Sequence, residues 1–158
     1  MLSYVTLDRI ADAYNPILAA AWLLLVCRTF LIRGWRAGLI QTGLGIGTLL
    51  IAYGLMWLDN AFGFWPALGL DFSTHTAVAF ALGATIFAMS RPCRLAVAFS
   101  LAAYVLLVLY QQYHSIGDII STLLVVAGPV CALAYASQAA ADNSSGPKPL
   151  RGSDQLLR

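Results

Sequence analysis

Charge is what this sequence has least of. Only 10% of its 158 residues are charged, while 60% are hydrophobic; an ordinary soluble domain is about a quarter charged. So little polar surface could not cover so much apolar content in water, and lipid is the expected solvent. Cysteine is also sparse. Cys27, Cys93 and Cys131 all sit in or beside apolar runs with no CxxC pair. That pattern speaks against a disulfide framework or a zinc site and for small apolar helix residues. No basic stripe alternates with aromatics, so nucleic acid is not an expected partner. The N-terminus lacks a basic start and the first strong apolar run begins only near Pro16, which reads as a retained span rather than a signal peptide. Gly43, Gly45 and Gly47 follow no strand and precede no Lys-Ser/Thr pair, so they suit close helix packing rather than a nucleotide loop.

What remains is a set of apolar runs long enough for helices. The expected fold is all-α, an integral membrane helical bundle with about five transmembrane helices. Residues 1–15 are mixed and mildly amphipathic, suiting a short interfacial helix. Asn15-Pro16 reads as the start of the first span, with Asn as cap and Pro in the first turn. The spans are expected near Pro16–Ile32, Ala37–Leu58, His75–Met89, Leu95–Gln111 and Ser115–Ala136, with a kink at Pro129. The transmembrane domain thus covers 16–136, and a polar tail, poorly ordered, covers 137–158. Phe62, Phe64 and Trp65 in the second connection suit the headgroup level. Basic residues cluster after span one (Arg33, Arg36), after span three (Arg91, Arg94) and after span five (Lys148, Arg151, Arg158). Five crossings put all three clusters on one side, expected to be the cytoplasm, and leave the N-terminus on the other.

Both histidines of the chain fall on that other side. His75 opens the third span just after Ser73 and Thr74, good N-cap residues whose helix would point its first N–H groups outward, where phosphate is attracted. His114 lies between spans four and five, and Asp118 follows it at i+4, on the same helical face if the fifth helix includes both. An aspartate accepting from one imidazole nitrogen fixes the tautomer and leaves the other nitrogen to attack. One histidine as nucleophile and the other as acid for the leaving group is a layout for phosphoryl transfer. A divalent ion held by His75, His114 and Asp118, with Asp71 as a fourth ligand, is the weaker option. The expectation is therefore no metal and no cofactor.

Phe72-Ser73-Thr74-His75 resembles the Pro-Ser-Gly-His motif of the type 2 phosphatidic acid phosphatase superfamily, and still more the Phe-Ser-Gly-His-Thr motif of its sphingomyelin synthase branch, with Thr74 in place of glycine. Tyr110, His114 and Asp118 are similar to the superfamily's last motif, a tyrosine four before a histidine and an aspartate four after it. The resemblance spans about residues 59–136. It implies His114 as nucleophile, Asp118 as its orienting partner, His75 as acid, and Ser73, Thr74 and Tyr110 near the substrate, a membrane lipid bearing a phosphate or phosphoalcohol headgroup. The departures are specific. No Lys or Arg occurs from Ala37 to Ser90, and the Ser-Arg pair that such phosphatases carry before the last histidine is Leu107-Val108 here. The guanidinium clamp for phosphate is absent. That favours a phosphotransferase, or a phosphatase using another cation. The alternative is a non-catalytic lipid-binding or partner-binding membrane subunit that kept the fold and lost the clamp.

Overall fold

The computed structural model describes residues 3–144. Helix α1 spans Tyr4–Arg33, α2 Trp35–Phe62, α3 Phe64–Ala67, α4 Thr74–Met89, α5 Arg94–Tyr110 and α6 Ile116–Ser144, with one 3₁₀ turn at Arg91–Cys93. Four helical stretches, α1, α2, α6 and Arg91–Tyr110 (the 3₁₀ turn running on into α5), are long and apolar enough to cross a membrane, and α4 is a shorter apolar helix beside them. The expected all-α membrane bundle is the observed fold.

The shortest of these five helices is the central one. At 16 residues, α4 is about 24 Å long, less than the roughly 30 Å of hydrocarbon. It packs against α1, α2, α5 and α6, so protein rather than lipid surrounds it. Its sequence explains the placement: Ala77, Ala79, Ala81 and Gly83 are small, buried and allow neighbouring backbones to come close. On the α2 side the buried hydroxyls of Thr48 and Thr85 meet at 2.9 Å, an interhelical tie in a setting where water is not available to either.

Chain direction follows from the glycine contacts. Gly34 alone links α1 to α2, at φ 86°, a conformation open to glycine without a Cβ penalty. Beyond it, Phe30 sits against Gly38 and Trp22 against Gly45: one helix descends as the other climbs. The Arg91–Cys93 turn reverses α4 into α5 in the same way. The start of α1, the end of α2, the start of α4, the end of α5 and the start of α6 therefore share one end of the bundle. Arg33, Arg36, Arg91 and Arg94 share the other.

Three expectations about local structure are corrected. Asn15-Pro16 does not start a helix; α1 begins at Tyr4, with the Ser3 side chain accepting from the Thr6 N–H, and runs through Pro16. Proline is tolerated there because only one backbone bond, from position 16 to the Asp12 carbonyl, is lost. The helix α6 does not stop at Ala136 but continues through Pro129 to Ser144; the rest of the expected tail, 145–158, lies outside the described residues. Phe62 and Phe64 are exposed as expected, but Trp65 is buried. It packs edge-on to Phe72 with centroids 4.9 Å apart, and its indole N–H donates to Ser121 Oγ at 2.9 Å. The buried Asp59 carboxylate accepts the Trp65 backbone N–H at 2.8 Å. The connection is thus a folded cap on the end of the bundle.

Candidate active site

Two backbone features bring the histidines to that end. His75 is the second residue of α4, and its carbonyl accepts from Asn15 Nδ2 on α1 at 3.2 Å. His114 lies in the α5–α6 connection, two residues after Gln112, which has φ 57°. A positive φ on a residue with a Cβ is uncommon and costs on the order of 1 kcal/mol, here in the turn that delivers Tyr113 and His114. Both histidines line one cavity of about 410 Å³, together with Ala11 and Asp12 of α1, Asp71, Tyr104 and Val108 of α5, and Tyr113. The volume is in the range of small-molecule sites, about 300–1,000 Å³. His114 also lines a second cavity, with Leu109, Gln112, Ser115 and Ile116.

His75 and His114 line the same cavity, while Asp118 is engaged mainly with backbone. Its Oδ1 accepts the Asp71 backbone N–H at 2.8 Å and its Oδ2 accepts the Ser115 N–H at 2.7 Å. In return the Asp118 N–H donates to Ser115 Oγ at 3.2 Å. Ser115-Ile116-Gly117-Asp118 is a capping box with aspartate in the glutamate position. The carboxylate is spent on starting α6 and on pinning the loop before α4. It stands 4.0 Å from His114 Nδ1, beyond hydrogen-bond reach. The nearer carboxylate is Asp71, at 3.6 Å and largely exposed. The His114 Nδ1 atom is itself buried and has no hydrogen-bond partner. A buried orphan nitrogen is unusual in a folded protein. Here it faces two carboxylates, one of them a few tenths of an ångström from bonding distance.

The other expected site residues are placed away from the cavity. Ser73 is fully buried: its N–H donates to Thr122 Oγ1 of α6 at 3.0 Å and its hydroxyl to Thr76 Oγ1 at 2.8 Å. These bonds draw it into the bundle rather than towards a ligand. Thr74 begins α4 with its N–H donated to the Phe72 carbonyl. Tyr110 is 70% exposed on the outside of α5. The tyrosines on the cavity are Tyr104 and Tyr113, six residues before Tyr110 and three after it.

Residues that spacing did not single out complete the site. Asp8 accepts from Gln111 Nε2 at 2.6 Å and from the Tyr113 hydroxyl at 2.8 Å. The Tyr4 hydroxyl donates to the Gln111 carbonyl at 2.9 Å. The first turns of α1, expected as a separate interfacial segment, are thereby fastened over the cavity and supply one wall. The hydrogen bond to Asp8, with that carboxylate's charge and Asp12's, pushes the Tyr113 phenol above its ordinary value. Among the described residues no Lys or Arg lines the cavity. Among the described residues no group of three or more His, Cys, Asp or Glu is arranged to hold a metal ion.

Fold and site together define a class: a multi-pass helical membrane protein with a two-histidine, acid-flanked cavity at one end of the bundle. Beyond that class, no family model, characterised protein or solved structure matches the chain.

Proposed function

We propose that this protein transfers a phosphoalcohol headgroup, or hydrolyses a lipid phosphate, through a phosphohistidine formed on His114. The observation that carries the reading is the meeting of His75 and His114 on one cavity at a bundle end. Asp71, 3.6 Å from His114 Nδ1, is the carboxylate that a small shift would bring to accept from that nitrogen, leaving Nε2 to attack. In the first step the Nε2 lone pair forms the N–P bond, the bond from phosphorus to the leaving oxygen breaks, and protonated His75 gives that oxygen its proton. In the second step a water or an acceptor alcohol attacks phosphorus, the N–P bond breaks, and His75 takes the proton of the incoming hydroxyl. The gathering of Arg33, Arg36, Arg91 and Arg94 at the opposite end supports a cavity on the extracytoplasmic side.

Charge bears on which of the two reactions is favoured. Asp12 and Asp71 line the cavity, and among the described residues no Lys or Arg does. Each additional negative charge about 5 Å from a carboxylate costs about 3 kcal/mol at an effective dielectric of 20. A phosphodiester carries one negative charge where an ionised phosphomonoester carries nearly two, so transfer of a phosphoalcohol headgroup is the better fit. The same absence of a cation supports a second reading, a headgroup-binding subunit without catalysis. Turnover of fluorescent phosphatidylethanolamine and phosphatidic acid by the purified protein separates the two. Catalysis predicts that His114→Ala abolishes turnover and that His75→Ala lowers it by about 10²–10⁴-fold, most for poor leaving groups. Binding of either lipid with no turnover selects the second reading.

A further inference from the structure

We infer that Tyr104 is the phosphoryl-oxygen donor of this cavity, the neutral O–H group that stands where a cation would otherwise meet the ligand. The inference rests on the phosphotransfer reading above, and starts from a tyrosine that packs in the core and also lines the cavity. Tyr104 is only 4% exposed and lines the histidine cavity, yet its hydroxyl makes no hydrogen bond to any described residue. The hydroxyl is not one of the sealed polar atoms left without a partner, so it is open to the cavity that the residue lines. The other phenol on the cavity, Tyr113, already donates its hydroxyl hydrogen bond to Asp8. Tyr104 is therefore the uncommitted hydroxyl donor among the lining residues, and a ligand oxygen in the cavity is the partner open to it.

Its neighbours hold the ring still. Tyr104 stacks on Tyr14 of α1 with centroids 4.2 Å apart and planes 13° from parallel. Tyr14 is fixed in turn, its hydroxyl donating to Ser100 Oγ at 3.0 Å and Ser100 Oγ to the Val97 carbonyl at 2.9 Å. Ser100 and Tyr104 are one turn apart on α5, so the stack is anchored to the helix that carries the donor. A donor held before the ligand arrives costs no reorganisation when charge builds on a phosphoryl oxygen. Val108, one turn further along α5, lines the same cavity and supplies no polar group. A neutral donor also suits the surroundings: it stabilises a phosphoryl oxygen without being drawn into an ion pair by Asp12 or Asp71.

The test is Tyr104→Phe, which removes one oxygen and keeps the stacking ring. Wild type, Tyr104→Phe and His114→Ala are compared in detergent micelles carrying fluorescent phosphatidylethanolamine or phosphatidic acid, with orthovanadate as inhibitor and thermal midpoints as the structural control. The expected result is kcat down by about 10²-fold, KM nearly unchanged, orthovanadate inhibition weakened in proportion, and the thermal midpoint unmoved. Turnover that depends on His114 but is the same in Tyr104→Phe overturns the role of Tyr104 and leaves the phosphotransfer reading standing. So does a fall in kcat that comes with an equal loss of thermal stability, which assigns the hydroxyl to packing. No His114-dependent turnover on either lipid overturns both.

Discussion

His114 and Asp118 are four residues apart, and that spacing suggested a nucleophile and its orienting partner. The structure reassigns the aspartate because a carboxylate at the third position of a helix has a nearer use: two backbone N–H groups, of Ser115 and Asp71, lie 2.7 and 2.8 Å from it. Spacing on a helix cannot distinguish a side chain that reaches outward from one that folds back to cap its own first turn. Replacing Asp118 by alanine should therefore cost stability as well as function, about 0.5–2 kcal/mol for the lost helix cap. Asp118→Asn should recover only part of this, because the amide offers one acceptor where two are needed. Chemical or thermal denaturation in detergent checks the prediction; an Asp118→Ala protein as stable as wild type would show that the capping box contributes nothing. The two histidines were legible because they are the only ones in the chain and each borders an apolar run. Asp12 and Tyr104 were not legible, since nothing in sequence links positions 12, 71, 104 and 114 until α1 lies across the ends of α4 and α5.

At the scale of elements, hydropathy located the apolar runs well and their ends poorly. A membrane helix has no need to stop where polarity rises, so α1 extends back to Tyr4 and α6 onward to Ser144. Proline after asparagine looked like a beginning because the first turn is where proline costs least, yet a membrane bundle tolerates it mid-helix. The glycines of α2 were read as packing residues, and the structure divides them. A Cβ on Gly45 would overlap the buried ring of Trp22, whereas one on Gly43 would meet nothing within 4 Å. Gly45→Ala should destabilise the α1–α2 hairpin by about 1–3 kcal/mol. Gly43→Ala should be neutral or stabilising by up to about 1 kcal/mol through helix propensity. Thermal midpoints of the two variants in one detergent decide this, and equal midpoints would contradict the close approach of Trp22 to α2.

At the scale of the whole molecule, acidic residues gather at the cavity end and arginines at the other, with Arg9 and Asp142 as exceptions. Asp8, Asp12, Asp59, Asp71 and Asp118 sit at the cavity end with Arg9, and Arg33, Arg36, Arg91 and Arg94 at the other. Membrane orientation follows the basic end, so the cavity should open away from the cytoplasm. With the three native cysteines replaced, a cysteine at Gly63, next to the cavity end of α2, should react with an impermeant maleimide added outside intact cells. A cysteine at Gly34 should react only after permeabilisation, and the reverse pattern would place the site in the cytoplasm. Two histidines acting on one phosphorus would pass through a phosphorylated His114. The most direct measurement is to trap it: mix the purified protein with ³²P-labelled phosphatidylethanolamine, quench in alkali within the first turnover, and test the chain for label. The account predicts an alkali-stable, acid-labile adduct that is absent in His114→Ala and still forms, more slowly, in His75→Ala. A wild-type chain that turns over the lipid without carrying label, or label that persists in His114→Ala, would contradict it.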